Sequence, residues 1–146
     1  MAYATIAQLQ ARVQEIDLRQ LTDRLEAEAG VMVGSVVQRA LDDASSEMDS
    51  ALSVRYAVPI TGDNSECVRI CCILARAYLY SWAGQHSEAS QAVEAEAASA
   101  RAWLKQVATG TRNIIGATLL SVDNLGGSAV VAPCPIYGDD FLSMYA

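Results

Sequence analysis

This chain of 146 residues is short of several residue types, and its shortage of cations bears directly on function. It has one Phe, two Trp and one His, and its ten Lys and Arg are outnumbered by 17 Asp and Glu. Because nucleic-acid phosphates are bound by clustered cations, the net charge of -7 argues against nucleic-acid binding. An acidic surface is compatible instead with plain solubility, or with a passage that DNA crosses without adhering.

Long apolar runs and targeting signals are missing as well. No run approaches about 18 apolar residues, so we expect no membrane span. The N-terminal MAYATIAQLQ lacks a basic region followed by an apolar one, so we expect no signal peptide. We therefore expect the chain to stay in the cytoplasm where it is made, with its cysteines reduced. These cysteines are Cys67, Cys71, Cys72 and Cys134.

Catalytic motifs are also absent. There is no Walker loop, dinucleotide fingerprint or Gly-x-Ser-x-Gly elbow. His86 is predicted to lie in a turn, with no nucleophile beside it. Cys67 and Cys71 share a helix face, but zinc sites usually need two close pairs of ligands, so buried apolar roles are favoured. We expect no enzyme, no metal and no cofactor. A metal-dependent enzyme using carboxylates or cysteines is the weakest alternative.

The chain does contain helical periodicity. Thr5 and Gln8 have the form of a capping box that opens a first helix over about 5–14. An apolar segment over 16–21 follows, and the stretch 24–34 is ambiguous because Gly30 and Gly34 interrupt it.

Three longer helices are predicted after this region. Ser35 is a suitable N-cap for one that ends before Val58, since the residue preceding a proline is extended. The next covers about 65–83 and ends at Gly84, and the last runs from Ser87 to residue 108 and ends at Gly110. The expected class is mainly α, a small bundle of about four helices.

Residues 111–146 differ in character and are predicted to form an extended, partly β arm after a helical domain over 1–110. Turn signals favour a hairpin of 117–122 against 128–132. The arm ends in a strongly apolar cluster that water would solvate poorly. It is expected to pack either on a partner or back onto its own bundle.

The stretch 40–60 is the most specific part of the chain. Its helix pattern carries a carboxylate face and then stops at Arg55, Tyr56 and Pro59. Arg and Tyr are typical interface anchors. Alternatively, Arg55 pairs locally with Asp49 or Glu47 while Tyr56 fills the bundle.

Four segments in this order carry a family resemblance. They are Met1-Ala2-Tyr3-Ala4-Thr5, Leu21-Thr22-Asp23, ALDDASSEMDSAL over 40–52, and Arg55-Tyr56-Ala57-Val58-Pro59-Ile60. Together they resemble the small neck proteins of Mu-like phages and prophages, within the wider head–tail connector group, over roughly residues 1–110.

This resemblance implies a virion protein of the neck, made in the bacterial cytoplasm. About a dozen copies would form a ring beneath the portal that continues the DNA channel towards the tail. The expected partners are the portal, a tail terminator or other neck protein, and further copies of itself; DNA would pass without specific binding. The resemblance also places portal contacts in the C-terminal tail, for which the candidates are Ile136, Tyr137, Phe141, Leu142, Met144 and Tyr145.

Two further sets of residues follow from this interpretation. The subunit-interface candidates are Arg55, Tyr56 and Pro59. The channel-lining candidates are the carboxylates Asp42, Asp43, Glu94 and Glu96. The main alternative is a cytosolic helical interaction module without a virion role, monomeric or dimeric, with its tail folded onto its own bundle.

Overall fold

Helices make up most of the chain that the computed structural model describes, namely residues 3–23, 33–60, 64–84 and 88–120. They are α1 (Ile6–Gln10), α2 (Glu15–Asp23), α3 (Gly34–Leu52), α4 (Ser65–Trp82) and α5 (Glu88–Ala108). The predicted mainly α class is confirmed. Over these ranges there are five helices, one more than expected, and no strand.

The helix that the sequence missed is α2. Its contribution to the core comes from Leu18 and Leu21, whereas Ile16 in its first turn is 60% exposed. The Thr22 hydroxyl donates to the Leu18 carbonyl at 2.8 Å and accepts from the Val33 amide at 3.3 Å. This buried threonine thereby joins the end of α2 to the start of α3.

Most predicted helix ends are confirmed. Thr5 and Gln8 form the capping box, although α1 stops at Gln10 rather than Gln14. Gly84 and Gly110 follow α4 and α5 with φ of 62° and 84°, a left-handed conformation that glycine adopts without strain. The N-cap predicted at Ser35 is wrong: α3 begins one residue earlier, at Gly34, and its N-cap makes no side-chain hydrogen bond.

The core lies where α3 packs against the α4–α5 hairpin. Cys67, Cys71 and Leu74 are at most 1% exposed, and the Cys71 thiol lies 3.6 Å from the buried Ser45 hydroxyl of α3. Arg69 is nine positions from Tyr78, which at about 100° per residue places the two on opposite sides of α4. We call the side of α4 and α5 that faces α3 the inner face and the opposite side the outer face.

The segment after α5 returns to the bundle. Ile114 is buried in the core, and Leu119 forms an isolated antiparallel bridge with Tyr56. The Ala57 amide donates to the Thr118 carbonyl at 3.0 Å, and the Leu120 amide to the Arg55 carbonyl at 2.8 Å. Within the described residues, the first strand of the predicted hairpin therefore pairs with this corner, while its predicted partner 128–132 lies outside them.

Candidate interaction surfaces

The guanidinium of Arg55 joins the end of α3 to the end of α5. It donates to the Val107 carbonyl at 3.2 Å and to Asn113 Oδ1 at 3.3 Å, and it lies 5.8 Å from the centre of the Tyr56 ring. A methyl group added at Gly110 would lie 3.1 Å from the Arg55 Nη1 atom. Gly110 is therefore needed both for its backbone conformation and for this close approach.

The predicted pairing of Arg55 with Asp49 or Glu47 is wrong, because both carboxylates have other partners. Asp49 accepts a hydrogen bond from the Tyr3 hydroxyl, which itself accepts from the Ile60 amide at 3.2 Å. Burial, together with the hydrogen bond to Asp49, raises the pKa of Tyr3. Tyr3 thus fastens the N-terminal segment to α3 and to the residue after Pro59.

Glu47 connects α3 to both helices of the hairpin. It accepts from the Tyr78 hydroxyl of α4 at 2.9 Å and from Arg101 Nε of α5 at 2.7 Å. Burial and this hydrogen bond raise the pKa of Tyr78, and the same carboxylate raises the pKa of Arg101. The network is local and structural, and it gives Glu47 a role that its place on an acidic helix face did not indicate.

The expectation that Tyr56 fills the bundle is confirmed. Its side chain is 1% exposed, and its hydroxyl accepts the Ile114 amide at 3.0 Å. Tyr56 therefore supports the corner from within, and of the three subunit-interface candidates Arg55 and Pro59 are the two whose side chains reach the surface. Whether this corner meets another subunit stays a prediction.

Beside this corner lie exposed apolar side chains that the sequence analysis missed. Ile115 is 94% exposed, Val54 is 55% exposed and Leu119 is 54% exposed. Val54 precedes Arg55 in the chain, Leu119 is paired with Tyr56, and the Ile115 carbonyl accepts from Asn64 Nδ2 at 3.2 Å. We call Val54, Ile115 and Leu119 the corner patch. The backbones of Ile115 and Leu119 are held by these contacts while all three side chains face water, which makes the three residues candidates for a contact surface.

The four channel-lining candidates are all exposed, but they do not share one side of the bundle. Glu94 and Glu96 are two positions apart, about 200° around α5. Glu96 lies 3.7 Å from Arg76 on the outer face, and Glu94 lines a smaller cavity together with Arg101. Asp42 Oδ1 accepts a hydrogen bond at 3.1 Å from the side-chain Nε2 of Gln38, one turn earlier on α3. A single surface can therefore present only some of these carboxylates.

The outer face of α4 and α5 forms a groove of about 770 Å³ that we call the arginine groove. Its apolar walls include Ile73 and Trp103, and Glu96 is the one acidic residue among the described residues that line it. Arg76 Nε and Trp103 Nε1 are buried without an acceptor among the described residues, and an unmet buried donor costs about 1–3 kcal/mol. Four of the chain's ten cationic residues line it: Arg12, Arg69, Arg76 and Arg112.

The three described cysteines are free and buried, as predicted. Burial raises the pKa of Cys67 and of Cys72 to about 11, and it raises the pKa of Cys71 as well. All three are therefore neutral thiols near pH 7 and poor nucleophiles. Over the described ranges, no three His, Cys, Asp or Glu residues are grouped to hold a metal ion, and no helix has the length and apolarity to cross a membrane.

Several sequence predictions lie outside the described residues. They concern His86, Cys134 and the tail candidates Ile136, Tyr137, Phe141, Leu142, Met144 and Tyr145. The predicted domain boundary at residue 110 also stays a prediction, although Ile114 beyond it is part of the core.

The fold and these surfaces define a small helical-bundle protein with an exposed apolar corner and a cationic groove. Residues 3–130 match the family described as Bacteriophage Mu, Gp36, and the chain belongs to that family. It is also similar to gene product J of Escherichia phage Mu, with 34% identity over 110 residues that cover 75% of this chain and 74% of that protein. The resemblance to Mu-like phage proteins is thereby confirmed.

Proposed function

We propose that this chain is a structural virion protein of a tailed phage, a head–tail connector of the neck. Copies of it form a ring beneath the portal, extend the DNA channel and join the capsid to the tail. The observation that carries the proposal is the corner patch, an exposed apolar surface on a well-anchored corner of a chain that belongs to a phage Mu family.

The construction of the corner supports this role. Arg55 and Tyr56 tie the end of α3 to residues 107–114 through hydrogen bonds that span more than fifty positions of sequence. A patch on such a support keeps its shape before and after assembly, so little entropy is lost on ordering it. Arg55 and Pro59 lie at its edge and remain the subunit-interface candidates.

The charge distribution is also compatible with a DNA passage. Exposed Asp42, Asp43 and Glu94 give parts of the surface a negative potential, which repels phosphates and lets DNA slide. Glu96 remains a channel-lining candidate, although it also lines the arginine groove. DNA is thus a passenger of the ring rather than a ligand.

The C-terminal tail completes the proposal. Ile136, Tyr137, Phe141, Leu142, Met144 and Tyr145 form an apolar cluster that would bind the portal. Deleting residues 133–146 should leave the helical circular-dichroism spectrum of the bundle intact and abolish co-purification with portal. Retention of portal binding by the truncated chain would contradict this assignment.

The ring itself is tested by imaging the neck of particles that carry corner-patch variants. Ile115→Asp with Leu119→Asp should give a folded chain that is not incorporated, because charges replace a buried apolar contact. Ile16→Asp is the matched control, since Ile16 is similarly exposed but lies on α2, and it should be incorporated normally. A chain absent from wild-type necks, and monomeric or dimeric with portal present, would instead favour a cytosolic interaction module.

A further inference from the structure

The connector role does not account for the arginine groove. We propose that, in the free chain, this groove binds the acidic C-terminal segment 138–145 of the same molecule. The proposal concerns the chain before assembly and does not depend on its role in the particle. The segment reads Gly-Asp-Asp-Phe-Leu-Ser-Met-Tyr, with two carboxylates directly before two large apolar side chains.

The cations of the groove are mostly without partners. Arg12, Arg69 and Arg112 make no ion pair with any residue that the structure describes. Arg76 has Glu96 at 3.7 Å, and its guanidinium lies 5.7 Å from the centre of the Tyr80 ring. Arginine presents a planar fork of donors that suits carboxylates. In a chain of net charge -7, four arginines along one groove with one acidic neighbour form an anion-binding surface.

The walls of the groove add an apolar requirement. Trp103 is 6% exposed and lies with Ile73 beside the arginines, and its indole N–H finds no acceptor in the described ranges. A ligand for this surface therefore needs oxygen atoms and apolar side chains close together. Nucleic-acid phosphates do not satisfy that requirement, whereas Asp139, Asp140, Phe141 and Leu142 do so within four consecutive residues.

The acidic side of α3 fits less well. The exposed side of α3 carries Asp42 and Asp43, but its other exposed residues are Ser35, Arg39, Ser46 and Ser50, which offer no large apolar side chain. The C-terminal region also has a favourable charge balance, since residues 113–146 include three Asp and no Lys or Arg.

The length of the chain permits the contact. Asp139 lies nineteen positions after Leu120, the last described residue, and an extended chain covers about 3.3 Å per residue. The resulting reach of roughly 60 Å exceeds the length of α5, about 32 Å at 1.5 Å per residue. A tethered segment also has a high effective concentration, which favours the same molecule over a second copy in dilute solution.

The test places a photo-cross-linking amino acid at Ser143 of the full-length chain in dilute solution. Mass spectrometry should find intramolecular cross-links to peptides from 69–76 or 96–106, the α4 and α5 walls of the groove. Asp139→Lys with Asp140→Lys should lower this yield at least fivefold. The equal charge change Asp42→Lys with Asp43→Lys on α3 is the matched control and should leave it unchanged.

A compensating variant guards against indirect effects. Adding Arg69→Glu and Arg112→Glu to the Asp139→Lys, Asp140→Lys variant should restore most of the intramolecular cross-link yield. Neither arginine has an ion pair among the described residues whose loss would disturb folding. Cross-links to other parts of the chain, cross-links only between molecules, or a yield indifferent to tail charge would each overturn the proposal. Because no portal is present, a failure here leaves the connector role untouched.

Discussion

The two faces of the α4–α5 hairpin are built from the same helices and differ in almost every physical respect. On the inner face, Cys67, Cys71 and Leu74 are buried against α3, and Glu47 satisfies Tyr78 and Arg101. On the outer face, Arg69 has no ion pair within the described residues, and Trp103 keeps a buried donor without an acceptor.

This difference separates residues that hold the fold from residues available to a ligand. A face whose polar groups already have hydrogen-bond partners within the fold gains little free energy by binding another molecule. A face with unpaired cations and donors gains hydrogen bonds and ion pairs when a ligand supplies acceptors. The average composition hides the contrast, because a net charge of -7 gives no sign of a groove lined by four arginines.

The largest expected effect comes from truncating neighbouring residues on the two faces. Leu74→Ala removes a side chain that is 0% exposed and should lower the free energy of unfolding by about 2–5 kcal/mol. Ile73→Ala, one position away and partly buried beside the groove, should cost less than about 1.5 kcal/mol. Urea denaturation followed by circular dichroism measures both. Equal losses would show that the outer face is as fully packed as the inner one.

The inner face could be predicted from the sequence because its signal is local. Apolar residues at helical spacing gave α3, α4 and α5, and the left-handed residues Gly84 and Gly110 gave two of the helix ends. The failure at α2 has a physical reason. The sequence predicts only a compact apolar segment there, which treats Ile16, Leu18 and Leu21 alike. In the fold Ile16 is exposed while Leu18 and Leu21 are buried, so the buried side of the helix is defined by the packing.

The outer face could not be predicted because its residues meet only in the fold. The four arginines of the groove come from three parts of the chain: the segment after α1 (Arg12), α4 (Arg69 and Arg76) and the segment after α5 (Arg112). The same limit explains the wrong partner for Arg55, whose acceptors Val107 and Asn113 lie more than fifty positions away. The sequence favours nearby carboxylates as partners of Arg55, but in the fold its guanidinium binds acceptors that are distant in sequence.

A smaller effect is expected at the two ends of the hairpin helices. Gly110→Ala should lower the free energy of unfolding by about 1–3 kcal/mol, through left-handed backbone strain and a clash with Arg55. Gly84→Ala is the matched control, since it has a similar φ but no atom within 4 Å of the added methyl group. The excess loss at Gly110 in thermal unfolding reports the Arg55 contact, and it should vanish in an Arg55→Ala background. An excess that persists there would rule out the clash as its cause.

The smallest expected effect compares Glu47, an α3 carboxylate bound to the inner face of the hairpin, with Glu96, an α5 carboxylate on its outer face. Glu47→Ala should cost about 1–1.5 kcal/mol, because Tyr78 and Arg101 both lose their acceptor. Glu96→Ala breaks an exposed 3.7 Å ion pair and should change the free energy of unfolding by less than about 0.5 kcal/mol. Removing Glu96 also takes away the one acidic residue among the described residues of the arginine groove, so the Ser143 cross-link yield should rise in Glu96→Ala and stay constant in Glu47→Ala. A stability loss at Glu96 matching that at Glu47, with no gain in cross-linking, would mean that the outer face serves the fold as the inner face does.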